Sequence, residues 1–338
     1  MNLVGDNMSK LLLIHGSCVE QKVDVIVNAA NRYLASGGGI FGVIFSQAGY
    51  EELTDACRKI NTPLKDGEAV ITPSFGITNC KTIIHAVGPN FNDTKDAFDK
   101  LFDAYYNSLV LLKDNNYHSI SFPLISSGIF GGNLDNPAKI SAGECIKAYN
   151  KFVNDYKEYE IEVILCAYTS HEYMEAQKEM FINLLPQETD RVTIRKTNIS
   201  DVDLLLKMDK QEETQRFLGG IKNKTKEERI ALINDMNTSL TICLKDNTPI
   251  GFIGLKINNE VELSYIFDYD YINNGYCTEA CKRIIDIAFN ELNIKCINAD
   301  TVDGNKSSIR VLEKLGFVYK NNYMKDNKCF LKYEKRLD

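Results

Sequence analysis

The sequence predicts two domains in tandem: an α/β fold with a mixed sheet between helices, then an α+β fold with a mainly antiparallel sheet. Three observations lead there. The chain has 338 residues, more than twice the usual length of a single domain. Its first half alternates short apolar runs with helical patterns, and its second half gathers three strands in succession. Between the halves, "LLPQETDR" interrupts both patterns with Pro186 and polar residues, which sets the domains at residues 1–186 and 190–338.

In the first half, "LLLIHG", "VDVIVNAA", "GEAVITPS", "KTIIHAVG", "SISFPLIS" and "IEVILCAY" read as buried strands. Helical patterns lie between and after them: "FGVIFSQAGYEELTDACRKI", "DAFDKLFDAYYNSLVLLKDNN", "AKISAGECIKAYNKFVNDY" and "EYMEAQKEMFINLL". The aromatic stripe in "FDAYYNSLVLLK" has helical spacing and reads as core, and His85 in "IIHAVG" reads as a packed strand residue. The second half opens with the strand "RVTIRKT", then Asn198 and Ser200 cap the helix "DVDLLLKMDK". The helix "TKEERIALINDM" follows, then the strands "LTICLK", "PIGFIGLKI" and "VELSYIFDY", with "DNTP" as a turn between the first two. "TEACKRIIDIAFNEL", "IKCINADTV", "NKSSIRVLEKL", "FVYKN" and "KCFLKYEK" complete it as helix, strand, helix and two strands.

Composition excludes several classes. Apolar residues make up 44% and charged residues 25%, ordinary values for a soluble globular chain. No run of 18 apolar residues offers a membrane span, and "MNLVGDNMSK" lacks an apolar leader core, so the expected location is the cytoplasm. Ten cysteines show neither a CxxC nor a cysteine–histidine cluster; they read as reduced thiols, and no metal is expected. Residues 1–186 hold 15 Lys+Arg and 22 Asp+Glu, a net of −7, and residues 187–338 hold 24 of each. Neither half is basic, which disfavours bulk nucleic-acid binding. An acidic domain that binds phosphate must do so with backbone N–H groups and a helix end.

"NAANRYLASGGGIFG" contains Gly37-x-Gly39-x-x-Gly42, the spacing of a dinucleotide turn. That turn needs its first glycine at the strand end and an acid about 20 residues on, closing a second strand. Here the strand ends near Ala29, the first glycine comes eight residues later, and the next stretch is helical. Redox-cofactor binding is therefore set aside. Asn28 and Asn31 lie where amides can read sugar hydroxyls, and Gly37, Gly38 and Gly39 let backbone donors approach a phosphate, aided by a helix beginning near Phe41. A second loop, "ISSGIFGG", also follows a strand. Two such loops on one sheet edge can clamp a diphosphate.

Taken together, "VDVIVNAANRYLASGGGIFGVI", "KTIIHAVGP" and "SFPLISSGIFG" resemble the macro domain, the ADP-ribose-binding fold, in the branch of O-acetyl-ADP-ribose deacetylases and ADP-ribosyl hydrolases. The resemblance implies that Asn31 meets the distal ribose and that Gly37–Gly42, with Ile40 and Phe41, wrap the phosphates near it. It implies that Ser126, Ser127, Gly128, Ile129 and Phe130 form the second loop, Ile129 by its backbone and Phe130 beside the distal ribose. Ser17, followed by Cys18, stands where the family has an aspartate for the adenine amino group; a hydroxyl loses the charge-assisted part of that bond. The hydrolytic branch carries an aspartate in "GGGVDG", where this chain has Phe41 in "GGGIFG". A phenyl ring cannot orient or deprotonate a water. Binding is thus expected, with weak or absent hydrolysis.

In "DYINNGYCTEACKRIIDIAF" a strand ends, Asn273, Asn274 and Gly275 follow, and a helix opens at Cys277 or Thr278. Asn and Gly tolerate left-handed backbone, so successive N–H groups can line one concavity. "VELSYIFDYDYINNGYCTEA" followed by "ADTVDGNKSSIRVLEKLGF" resembles the GNAT acetyltransferases, nearest those acting on ribosomal-protein N-termini. The resemblance implies acetyl-CoA as co-substrate, its pyrophosphate gripped at Asn273, Asn274, Gly275, Tyr276, Cys277 and Thr278. Ile266 and Phe267 at the strand end join that site, and Asn305 lies near the pantetheine. Glu262 is the expected base and Ser308 the expected partner of the leaving thiolate, since the tyrosine many relatives carry in that helix is Leu312 here.

The expected function is acetyl-CoA-dependent N-acetylation by a chain that also binds ADP-ribose or an ADP-ribosylated or acetylated derivative. The acceptor is an amine, a protein N-terminus or a small molecule. An ADP-ribosyl or O-acetyl-ADP-ribose hydrolase and a non-catalytic reader of ADP-ribosylated partners remain open alternatives.

Overall fold

The computed structural model describes residues 9–35, 37–235 and 239–337. Most of "MNLVGDNMSK" and the last residue of "TKEERIALINDM" fall outside them. The chain divides into two compact units between Met180 and Phe181. Among the described residues no helix is long and apolar enough to cross a membrane.

The first unit holds β1 (Lys10–His15), β2 (Val25–Ala30), α1 (Ile40–Ala48), α2 (Tyr50–Arg58), β3 (Ala69–Pro73) and β4 (Thr82–Val87). It continues through α3 (Ala97–Asp114), β5 (Ser119–Pro123), α4 (Pro137–Asp155), β6 (Glu162–Ala167) and most of α5 (Ser170–Asn183). The sheet order is β1-β6-β5-β2-β4-β3. All neighbours are parallel except the edge pair β3–β4. The inner strands are buried nearly throughout, as continuous apolar runs between two helical layers must be. The expected single helix from Phe41 to Ile60 is instead two: Gly49 sits at φ 100° between α1 and α2, a conformation that ends one helix and starts the next. Tyr105 of the aromatic stripe is fully buried, whereas Phe102 and Tyr106 stack on one another at the rim.

The second unit runs β7 (Gln187–Glu188), β8 (Val192–Lys196), α6 (Val202–Asp209), α7 (Glu212–Gln215), α8 (Lys226–Asp235), β9 (Ser239–Leu244), β10 (Pro249–Ile257) and β11 (Val261–Phe267). It ends with α9 (Tyr276–Asn290), β12 (Cys296–Val302), α10 (Lys306–Lys314), β13 (Val318–Lys325) and β14 (Lys328–Arg336). The strand order is β13-β14-β12-β11-β10-β9-β8-β7. Asn198 accepts from the Ser200 N–H and forms a capping box with Asp201 that leads into α6, as its side chain predicts. Too short for a periodicity to show, β7 and α7 were not anticipated. In this largely antiparallel sheet β11 and β12 run parallel, and among the described residues their one ladder pair is Glu262 opposite Asn298. Beyond that pair β11 stays with β10 and β12 with β14, so the sheet opens into a notch between them.

Candidate functional site

The parallel strands of the first unit all end at one edge, so the segments after β1, β2, β4 and β5 gather there. Gly37, Gly38 and Gly39 are exposed. Gly39 (φ 61°) is the N-cap of α1, with no side chain capping it, which leaves first-turn N–H groups for a ligand. A Cβ at Gly38 or Gly39 would meet nothing within 4 Å. Gly42 differs, because its Cβ would come 3.4 Å from the Gly37 carbonyl oxygen, so the loop closes on its own helix there.

Asn31 holds this loop from within. Its Oδ1 accepts from the N–H groups of Tyr33 and Ala35, and its Nδ2 donates to the Ala35 carbonyl at 2.7 Å. The next residue, Arg32, makes a two-pronged ion pair with Asp66, which also accepts from Thr94. In the second loop Ser126 sits at φ 57° and donates to the Pro89 carbonyl, and Ser127 donates to the Leu124 carbonyl. Both hydroxyls are thus engaged within the protein, Ser127 also donating to a Glu172 carboxylate oxygen, which leaves the loop's backbone as its free face. Gly128 is open, Ile129 is 92% exposed, and the Phe130 carbonyl accepts from the Phe91 N–H. Beside this loop lies an open cavity of about 590 Å³ lined by Phe91, Asn92, Asn133 and Leu134, which the sequence pattern did not single out.

Three expectations need correction. Asn28 is fully buried, its Nδ2 3.0 Å from His85 Nδ1, so its amide cannot read a sugar. The Phe41 ring is a core residue, 3% exposed and stacked 4.1 Å from Phe45; it lies beneath the glycines and offers a ligand nothing. Cys18 is buried, its thiol directed at the Val27 carbonyl and its own carbonyl accepting from Ser121, so its side chain offers a ligand nothing. Ser17 is half-buried and caps the turn at Cys18–Glu20, accepting from the Val19 N–H.

Asn28, His85 and Thr72 form a buried polar chain beneath the glycine loop. Burial lowers the His85 pKa to about 4. A histidine depressed from about 6.5 leaves the unfolded chain binding more protons between those values, so stability falls as pH drops through that window. Between pH 7 and pH 5 this group should cost the first unit about 2 kcal/mol. Opening free energies from amide exchange in β2 and β4 should show that loss, and His85→Gln should remove it; an equal loss in the variant would assign it to other groups.

In the second unit Glu262 stands at the closed end of the notch, exposed and facing Lys256 on β10. Ile266 and Phe267 lie at the open end, Ile266 packed against a cluster of Leu204, Met208 and Phe252. Asn273 takes φ 62° and Gly275 φ 83°, the left-handed turns a backbone cradle needs. Gly275 is the N-cap of the 15-residue α9, again with no side-chain cap. Cys277 and Thr278 occupy its half-buried first turn, so the helix begins two residues earlier than Thr278. The Asn274 amide donates back to Ile272 and Tyr271 carbonyls. Asn305 caps α10 by accepting from the Ser308 N–H at 3.2 Å.

Two residues here escaped the sequence. Arg191 donates to Glu279 and to the Asn274 carbonyl, and its guanidinium lies 4.8 Å from the Tyr276 ring centre. Burial raises the Glu279 carboxyl, but bonds from Thr189 and Arg191 outweigh that and hold it below its ordinary range. Tyr265 places its hydroxyl 2.9 Å from Ser308 Oγ. Each pairing spans scores of residues, so no local pattern carries it; only the strand alternation around Glu262 sets Tyr265 on the helix-covered face.

The first unit is a parallel sheet with its loops gathered at one end, and the second a splayed sheet with a left-handed turn at a helix end. The chain belongs to the macro domain family, whose model matches residues 27–141, and carries an acetyltransferase (GNAT) domain at residues 191–318. It is similar to the O-acetyl-ADP-ribose deacetylase of Escherichia fergusonii, 36% identical over 186 residues, which cover 54% of this chain and 98% of that protein. The Escherichia coli K12 protein of the same name is 35% identical over the same shares. Among solved structures it is similar to the Oceanobacillus iheyensis macrodomain with ADP (30% identity, TM-score 0.48, covering 53% of this chain and 94% of that one). A GNAT-family acetyltransferase from Bacillus anthracis is 21% identical with a TM-score of 0.42, covering 45% of this chain and 98% of that one.

Proposed function

We propose that residues 1–186 bind ADP-ribose, or a derivative of it, and that residues 190–338 transfer an acetyl group from acetyl-CoA to an amine. The observation that carries both halves is shared: helices α1 and α9 each start at a left-handed glycine with no side-chain cap, in the segment that follows a strand, β2 or β11. Uncapped N–H groups and the helix dipole favour a diphosphate. For the first unit, the loops at Gly37–Gly42 and Ser126–Phe130 supply the donors, and Ser17 lies at the adenine end.

The site residues of the second unit fit acetyl-CoA: Asn273–Thr278 would hold its pyrophosphate, and the edges of the notch its pantetheine. Acetyl-CoA supplies the activated acetyl group. Glu262, exposed at the closed end of the notch, takes a proton from the acceptor amine, directly or through water. An α-amine near pKa ~8 yields that proton far more readily than a lysine near ~10.4. Hydrolysis in the first unit is not favoured, since Phe41 puts a buried ring where the hydrolytic branch has its acid.

Titration of the full chain with ADP-ribose and with acetyl-CoA tests the two halves separately. Ser17→Asp should tighten ADP-ribose about tenfold, the worth of making one hydrogen bond charge-assisted. The extended backbone and capping role of Ser17 suit aspartate equally well, so the fold is not at stake. No binding at millimolar ADP-ribose would sink the first half, and no binding of acetyl-CoA the second.

A further inference from the structure

Acetyl transfer leaves a thiolate that needs a proton. Ser308 was the expected partner, but an aliphatic hydroxyl is a far weaker acid than a phenol, whose pKa near ~10 lies close to a thiol's ~8.5. The helix offers no phenol, because Leu312, one turn beyond Ser308, is a buried leucine. The strand does. Tyr265 lies three residues past Glu262, where β11 has already left β12. Its hydroxyl is 2.9 Å from Ser308 Oγ and 3.3 Å from the Ser308 carbonyl oxygen. These are the hydrogen bonds it makes among the described residues, and no carboxylate takes its proton. Ser308 is itself fixed in the first turn of α10 by the Asn305 cap.

Resting on the acetyltransferase reading, we propose that Tyr265 is the acid of the transfer, its phenol protonating the leaving sulfur, and that Ser308 is its positioning residue. Ser308 Oγ–H donates to the phenol oxygen and so stabilises the phenolate as it forms. The long bond from the phenol to the Ser308 carbonyl is the resting contact of the proton that moves. The amine nitrogen forms the bond to the carbonyl carbon, and the carbon–sulfur bond breaks with its electron pair on sulfur. Sulfur takes the Tyr265 proton and leaves as a thiol. The proton shed by the amine passes through Glu262 and solvent and returns to the phenolate, so the enzyme ends as it began. Burial pushes the Tyr265 phenol up and keeps it protonated at neutral pH; the Ser308 bond acts the other way and eases the proton's departure.

The test uses CoA bound to the full chain and needs no acceptor. Thiolate absorbance of the CoA complex, less that of the desulfo-CoA complex, gives the pKa of the bound thiol. In the parent it should lie below the value of free CoA. Tyr265→Phe should raise it by about one pH unit and Ser308→Ala by less, with desulfo-CoA affinity unchanged in both. A merely structural tyrosine would move the affinity and not the pKa. If Tyr265→Phe loses desulfo-CoA, Ser308→Ala carries the test. A thiol pKa equal to the parent's in a variant that still binds overturns the proposal and leaves the acetyltransferase reading standing. A parent that does not bind CoA overturns that reading, and this proposal with it.

Discussion

Gly38→Glu is expected to abolish ADP-ribose binding and to leave the first unit folded. The expectation rests on the unusual freedom of this position. Gly38 is exposed, its backbone lies outside the left-handed region, and a Cβ there would meet no atom within 4 Å. Gly39, beside it, is different: its φ of 61° strains any side chain. A substitution at 38 therefore costs the free protein little, and what it costs the complex comes from the ligand. A carboxylate about 4 Å from a phosphate charge costs on the order of 4 kcal/mol at an effective dielectric of 20. Losing a backbone donor to the same phosphate adds ~1.5–3 kcal/mol. Together these exceed a thousandfold in affinity. Gly38→Ala, with neither bulk nor charge, should bind within a few-fold of the parent. Calorimetry on the full chain, with a thermal melt for each variant, decides it. A Gly38→Glu chain that binds ADP-ribose within threefold of the parent would show that the phosphates lie elsewhere.

The fold was legible because its signals are local. Buried parallel strands such as Val25–Ala30 and Thr82–Val87 are short apolar runs whatever surrounds them. The glycine loop and the Asn273–Gly275 turn were legible for the same reason, since left-handed backbone leaves its mark in residue type. Errors arose where a side chain's direction depends on the far side of the fold. Asn28 sits at a strand end, a natural place for a ligand amide, but the pleat turns it inward to His85, 57 residues away. Phe41 sits in a ligand loop by sequence, yet it begins the buried face of α1. Arg191 and Tyr265 were missed for the converse reason. An ordinary arginine and an ordinary strand tyrosine become notable only beside Asn274, Glu279 and Ser308, which the topology brings to them. A backbone site is written in its own residues, while a side-chain site is written in pairs.

Gly275→Glu is expected to reduce acetyl-CoA binding by more than a hundredfold, and here strain and charge act together. Gly275 sits at φ 83°, where any other residue costs about 1 kcal/mol or more. A Cβ would also come 3.2 Å from Arg191 Nη2. That guanidinium is not free to retreat, because it is tied to Glu279 and to the Asn274 carbonyl. The new carboxylate would compete with Glu279 for Arg191, loosening the turn that presents the α9 N–H groups. It would also set a negative charge against the pyrophosphate. Gly275→Ala separates these effects, since it keeps the strain and removes the charge; it should weaken acetyl-CoA about tenfold and lower the melting temperature of the second unit by a few degrees. Arg191→Ala should weaken binding by a similar amount without backbone strain, because it releases the same turn. Titrations of the three variants with acetyl-CoA give the order Glu worst, with Ala and Arg191→Ala between it and the parent. If Gly275→Glu binds acetyl-CoA as tightly as the parent, the helix-end cradle is not the pyrophosphate site, whatever the likeness of the loop to the family.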